Sequence, residues 1–343
     1  MRKLLNTLYV STQGAYLHRE GETVIVEVER VKKLQLPIHT IGAIVCFGNV
    51  LCSPFLLGFC AERGVAISFL TERGRFLASV RGAVSGNVLL RRAQYRLAES
   101  EAASKTVAQR IISAKIANSR AVLSRTLRDH SEKIDAAAVQ EAADRLKYAL
   151  NSLSETQTID EIRGLEGEAA NAYFGAFDHL IVSQKSDFAF TIRSRRPPLD
   201  AVNALLSFLY TILSHDIRSA LESVGLDPQV GFLHRFRSGR HSLALDMMEE
   251  FRAVLADRLA LSLINRSQLH ANDFMQSASG AVVISDRARK TVLGEYQTRK
   301  TEPIFHPFID EKVQIGQLFF VQANLLARHI RGDTEGYPPF FWR

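Results

Sequence analysis

The sequence reads as an α+β protein with an N-terminal β-rich domain, residues 1–85, followed by a larger α-helical domain, residues 86–343. Three observations carry that reading. Up to about residue 85 the apolar pattern has a period of two, clearest in Thr23-Val24-Ile25-Val26-Glu27-Val28-Glu29. After Gly82 and Gly86 the composition turns to helix formers. From there long stripes of period 3.6 run to about residue 265.

Within the first domain, turn signals stand at Gly14, Glu20-Gly21, Gly48-Asn49 and Arg73-Gly74, between the predicted strands. One helix interrupts them: Ser53 caps it, Pro54 suits its first position, and Gly64 supplies the left-handed residue that ends it. Its Leu56, Leu57 and Cys60 should pack against the strands. Cys46, Cys52 and Cys60 form no Cys-x-x-Cys pair and leave an odd thiol, so they read as small buried apolar residues in a reducing compartment. The apolar start around Leu4 and Leu5 is broken by Asn6 and Thr7, too early for a signal peptide. No run approaches the roughly 20 apolar residues of a membrane span, so a cytoplasmic protein is expected.

In the second domain the most regular helix holds Leu205, Phe208, Leu209, Ile212, Leu213, Ile217, Ala220 and Leu221 on one stripe, after Pro197-Pro198 and an Asp200 cap and before Gly225. Between Arg91 and Arg128 stand nine basic residues against two acids. Lys105, Arg110, Lys115, Arg120 and Arg125 recur every five residues, which winds them round a helix as a solvated charged surface. Arg193, Arg195 and Arg196 precede Pro197 in a predicted loop, where phosphate contacts are easily made. The Pro-rich close, Tyr337 to Arg343, cannot be helical and either drapes over the protein or lacks order. The formal net charge of +7 favours a polyanionic partner only weakly.

Three segments hold the candidate chemistry. On a helix over 161–180, Ile162, Leu165, Ala169, Tyr173, Ala176 and Leu180 share one side, and Glu166 falls about 40° from Ile162, inside that apolar stripe. A carboxylate there is paired with a base, protonated, or bound to a metal. On a helix over 242–261, Asp246, Glu249 and Glu250 stand opposite an apolar face of Ala244, Met247, Met248, Phe251, Val254 and Leu255. Asp246 and Glu249, three apart, share one helix face, which is either an exposed acidic surface or a pair of carboxylates presented to one point whose repulsion a cation would relieve. His234 lies upstream in the Gly231-Phe-Leu-His-Arg-Phe-Arg237 segment. One imidazole with two or three carboxylates is a set that Mn²⁺ accepts and Mg²⁺ can use, whereas zinc wants more nitrogen or sulfur. Without metal, Glu166 should crowd against Asp246 or Glu249, leaving one carboxylate of the cluster protonated at neutral pH.

The segments Ser85–Arg96, Gly164-Leu-Glu-Gly-Glu-Ala-Ala-Asn-Ala-Tyr-Phe174, Phe190–Phe208 and Gly231-Phe-Leu-His234, followed by Leu243-Ala-Leu-Asp-Met-Met-Glu-Glu-Phe251, resemble the CRISPR-associated integrase, the core nuclease of the spacer-adaptation complex. The likeness runs over nearly the whole chain. It implies that Glu166, His234 and Glu249 hold the metal with Asp246 in support, Glu249 replacing the aspartate frequent at that position. It implies a homodimer formed through the β domain, double-stranded DNA as substrate and a small ferredoxin-like partner bridging two dimers. The implied reaction is transesterification: a 3′-hydroxyl of a captured fragment attacks a phosphodiester at the edge of a CRISPR repeat. A metal-dependent nuclease of branched DNA in repair, or a non-enzymatic DNA-binding scaffold, is the alternative to be separated by product analysis.

Overall fold

A computed structural model describes residues 6–72, 76–80, 82, 88–278 and 280–342. The turn expected at Arg73-Gly74, the boundary at Gly86, the first residues of the Ser85–Arg96 segment and Arg343 lie outside the described residues. The chain forms mixed α and β structure in two compact units: residues 1–86 with 285–302, and residues 87–284 with 303–343.

The first unit contains strands β1 (Asn6–Val10), β2 (Tyr16–Glu20), β3 (Thr23–Val28), β4 (Val31–Pro37), β5 (Ile41–Phe47) and β6 (Leu51–Cys52), helix α1 (Pro54–Glu62), then β7 (Ala66–Leu70) and β8 (Phe76–Val80). They make two four-stranded sheets, ordered β1-β5-β7-β8 and β4-β3-β2-β6. Strands β1, β5 and β7 run parallel, whereas β2, β3 and β4 form an antiparallel meander. Ser53 caps α1 by accepting the Leu56 N–H at 3.2 Å, and Gly64 takes φ +70° beyond its end. Leu56 and Cys60 are buried with Leu17, Val24, Ile44 and Ile67 in the core of this unit, with Leu57 packed against it. The alternation expected along β3 gives way to three successive buried residues, Val24, Ile25 and Val26, because both faces of that strand are covered. The hairpin from β3 to β4 turns on Glu29 and Arg30, both at positive φ, without a glycine signal.

The second unit follows with α2 (Val88–Glu99), α3 (Glu101–His130), α4 (Ala136–Ser152), α5 (Ile159–Gly175), α6 (Ala201–Ser223), α7 (Ser242–Met248), α8 (Arg258–Asn265), and the short hairpin β9 (Phe274–Gln276) with β10 (Val282–Ile284). Helix α9 (Asp286–Thr301) belongs to the first unit, where Gln297 donates to Thr7 O at 3.2 Å. Strands β11 (Pro303–His306) and β12 (Glu311–Gln314) and helix α10 (Ile315–Arg331) complete the second unit. Helix α6 starts and stops where its signals stand: Asp200 accepts the Asn203 N–H at 2.7 Å, the expected stripe is buried, and Gly225 has φ +88°. Among the described residues, no helix is long and apolar enough to cross a membrane.

Two predicted helices end early. The one expected over 161–180 is α5 followed by a 3₁₀ turn, Phe177–Leu180. The one expected over 242–261 stops at Met248. Its next N–H groups, from Glu249, Glu250 and Phe251, bond only three residues back, and a π-helical stretch, Arg252–Asp257, leads into α8. A tightened turn followed by a widened one rotates successive side chains away from ideal helical spacing. The closing segment drapes rather than frays, with Tyr337 and Phe340 fully buried.

Candidate metal centre

Helix α5 begins with a capping box, Thr158 accepting from Glu161 N and the Glu161 carboxylate accepting from Thr158 N. That start fixes the phase of the helix and turns Glu166 toward α3, where Lys115 is its ion-pair partner. The same ammonium lies 2.8 Å from Glu249 Oε2, so Glu166 and Glu249 meet across one positive charge. On its other side Glu249 Oε1 is 2.9 Å from Arg252 Nη1. Burial pushes the Glu249 carboxyl upward, but Arg252 and Lys115, with a smaller contribution from His234, outweigh it and hold the group down at about 2. Glu249 is therefore not the carboxylate that carries the expected proton. Of the three readings open for Glu166, the pairing with a base is the one present, and a second base, Arg252, faces Glu249.

His234 is positioned from behind. Asp246 is completely buried, and its carboxylate accepts the backbone N–H groups of Phe232 (2.6 Å), Leu233 (3.0 Å) and His234 (3.0 Å). Its Oδ1 also lies 2.5 Å from His234 Nδ1. A carboxylate only accepts, so Nδ1 carries the proton and Nε2 is the ring nitrogen left for a ligand or substrate. Gly231 permits the approach: a Cβ there would lie 2.5 Å from Asp246 Oδ2 and 2.8 Å from the Ser242 carbonyl carbon. From α2, Gln94 donates to the carbonyls of Asp227 and Val230, both at 2.8 Å, and holds the chain leading into Gly231. From α5, one turn before Glu166, Arg163 Nε donates to Leu233 O at 3.0 Å. The glutamate helix and the histidine loop are thus tied directly together.

These contacts correct the expectation that Asp246 and Glu249 converge on one point opposite an apolar face. Asp246, Glu249 and Glu250 are all buried, and each faces a different way. Asp246 serves the histidine loop and Glu249 meets Lys115 and Arg252. Glu250 accepts from Tyr337 Oη (2.5 Å), Gln322 Nε2 (2.9 Å) and Phe340 N (2.8 Å). Among the described residues no three His, Cys, Asp or Glu side chains converge closely enough to hold an ion. The donor chemistry nonetheless fits a divalent cation. Two carboxylates already share one positive charge, and Glu249 Oε2 is buried without a well-angled hydrogen bond. With His234 Nε2 they make an oxygen-rich set with one nitrogen, suited to Mn²⁺ or Mg²⁺.

The arginine loop divides. Arg193 is turned inward: its guanidinium donates to Asn203 Oδ1 (2.6 Å), Ser194 O (2.5 Å) and Ser207 Oγ (3.2 Å), and it lies over the Tyr210 ring. Its guanidinium is thus half-buried and engaged by protein groups, unlike those of its two neighbours. Arg195 and Arg196 are exposed, and Arg195 lines an open pocket beside the carboxylates with Lys115, Tyr210, Glu249, Arg252 and Asp257. Lys115 is the residue the sequence reading passed over, having been placed on a solvated spiral. Measured against the apolar stripe of its own helix it lies about 40° from Ile111, among the buried Ala108, Ile111, Asn118 and Val122. The same test that singled out Glu166 identifies it.

Comparison with known proteins gives one consistent family. The family described as CRISPR associated protein Cas1 matches residues 8–298. A CRISPR-associated endonuclease Cas1 of Chlorobaculum tepidum is 56% identical over 343 residues, covering 100% of both chains. Among solved structures, a casposase bound to integration product superimposes with a TM-score of 0.84 at 23% identity, covering 97% of this chain and 93% of that one. A Cas6-RT-Cas1–Cas2 complex gives a TM-score of 0.83 at 22% identity, covering 100% of this chain and 37% of the other.

Proposed function

The chain belongs to the CRISPR-associated Cas1 family, and from that premise we propose that it is a metal-dependent DNA endonuclease and integrase whose metal is held by Glu166, His234 and Glu249. The observation that carries the site assignment is the meeting of Glu166 and Glu249 across a single cation, Lys115, beside an imidazole whose Nε2 is presented by Asp246. A bound Mn²⁺ or Mg²⁺ supplies Lewis acidity toward the phosphate and offsets the charge that develops on its oxygens.

The protein's own groups supply the rest. Asp246 keeps His234 in one tautomer and one orientation, so that the lone pair of its Nε2 is presented to the metal. Arg252 holds Glu249 ionised inside the fold. Arg195 and Arg196 hold phosphates without reading sequence. With a DNA 3′-hydroxyl as nucleophile the site joins strands, and with water it cuts them.

Double-stranded DNA, a homodimer formed through residues 1–85 and a small ferredoxin-like partner complete the proposal. The dimer is supported by family resemblance and by apolar side chains exposed on the first unit, Phe55 at 84% and Leu51 at 62%. The test incubates the protein, with and without that partner, with short duplexes and a supercoiled repeat plasmid in Mn²⁺ or Mg²⁺. A covalent branch at the repeat edge is the expected product. Only shortened strands would leave a nuclease without joining activity, and unaltered DNA would leave a binding scaffold.

A further inference from the structure

Glu249 sits between two cations that differ in kind. Arg252 packs over Tyr210, 5.0 Å from the ring centroid, with its side chain 12% exposed, and a rigid guanidinium stacked there is a permanent counter-charge. Lys115 reaches the carboxylates on a flexible stem, its side chain is 12% exposed, and it lines the open pocket. Its helix is held from behind, since Asn118 Nδ2 donates to Glu250 O (2.8 Å) and Phe340 O (2.9 Å). The backbone under Lys115 is therefore fixed, whereas its ammonium has a way out. The ammonium also leaves Glu249 Oε2 without a well-angled hydrogen bond, so it neutralises that oxygen without satisfying it.

We propose that Lys115 is an exchangeable counter-ion of the metal centre, whose ammonium holds the place between Glu166 and Glu249 and gives way, into the pocket, when a divalent cation enters. The inference rests on the metal site proposed above. A lysine suits the task because its charge is a compact point on a mobile chain, matched to two carboxylates that would otherwise repel one another. It holds them close together and ready for a stronger cation. A purely structural ion pair would instead stay closed whatever ion was added.

Two measurements test this. In the wild type, acetylation of lysines by acetic anhydride is followed by mass spectrometry across a Mn²⁺ titration, with exposed Lys147 as the internal reference. Labelling of Lys115 should rise several-fold, along the same saturation curve as the Mn²⁺-induced rise in Tm. In Lys115→Met, which keeps the stem and removes the charge, calorimetry should give a Kd for Mn²⁺ roughly tenfold lower than in the wild type, because no resident charge has to be displaced. Unchanged labelling at saturating Mn²⁺, or an unaltered or weakened Mn²⁺ affinity in Lys115→Met, overturns the proposal while leaving the metal site standing. An equal Mn²⁺ response in the wild type and Glu166→Gln removes the metal site itself, and the role of Lys115 with it.

Discussion

Glu249 and Glu250 are neighbours in sequence and both nearly inaccessible to solvent, at 3% and 0% exposure, yet the fold treats them oppositely. Glu249 is surrounded by cations and held down at about 2. Glu250 meets neutral donors only, and burial outweighs its bonds from Phe340 N, Tyr337 and Gln322 to push it up to about 7. Both are anchored, but only one is anchored by something another cation can replace. Burial alone thus says little about the role of a carboxylate, whereas the charge of its partners separates a site for exchange from a structural knot.

That contrast breaks most visibly at the exchangeable end. Glu166→Gln should reduce cutting and joining by about a thousandfold or more and abolish the rise in Tm that Mn²⁺ gives the wild type. Because Lys115 already relieves Glu166 and Glu249 of their repulsion, the variant should gain no stability when metal is left out. Near wild-type turnover would remove Glu166 from the centre. Asp246→Asn tests the link from behind, since an amide cannot accept at all four of the contacts made by the carboxylate. Mn²⁺ affinity or activity should fall roughly 10- to 100-fold, to be read by calorimetry beside strand-joining rates. A smaller loss in this variant than in Tyr337→Phe would reverse the ranking of the two networks.

A third buried acid sharpens the rule. Asp257 accepts from the hydroxyls of Tyr210 (2.7 Å) and Tyr173 (3.1 Å), and burial raises it from 3.8 to about 6 against those bonds. The folded protein then holds this proton more tightly than the unfolded chain. Its stabilising effect is complete below 3.8 and is lost as the pH rises through 6, a decline on the order of 3 kcal/mol. Urea unfolding of Asp257→Asn across that range should lack this decline, and an unchanged pH profile would show that Arg193 and Arg252 outweigh burial at this group. Tyr337→Phe removes one neutral donor from Glu250 and should cost about 1 kcal/mol in denaturant with Mn²⁺ affinity intact. The smallest change is expected at the arginine loop. Arg196→Ala should lower the salt dependence of DNA binding by about one phosphate contact, and Arg193→Ala should lower stability instead.

Much of this was legible beforehand where one residue decides one contact. Ser53, Pro54 and Gly64 bounded α1, Asp200 and Gly225 bounded α6, and the misplaced charge of Glu166 announced a partner. Lys115 escaped because the basic residues of α3 were compared with one another and not with the apolar stripe beneath them. The break at Met248 escaped for a different reason. A helix that tightens and then widens keeps its composition, and three acids in five residues read as a solvated face until each is seen with its own partner. The tail was legible only as non-helical. No residue pattern between Tyr337 and Arg343 indicates that a phenol and a backbone N–H of this segment will meet Glu250, contacts closed across 87 and 90 residues.

The ion pairs at the centre carry one more implication, visible once their formal charges are added. Glu166, Glu249, Lys115 and Arg252 cancel, two against two, so this quartet offers a phosphodiester no net attraction. A divalent cation taking the place of the Lys115 ammonium, which moves only into the adjoining pocket, would add two positive charges beside an anionic backbone. Metal and DNA would then each strengthen the binding of the other by the same factor, as thermodynamic reciprocity requires. The centre would act as a coincidence detector, indifferent to DNA before loading and more tenacious of its metal once DNA has arrived.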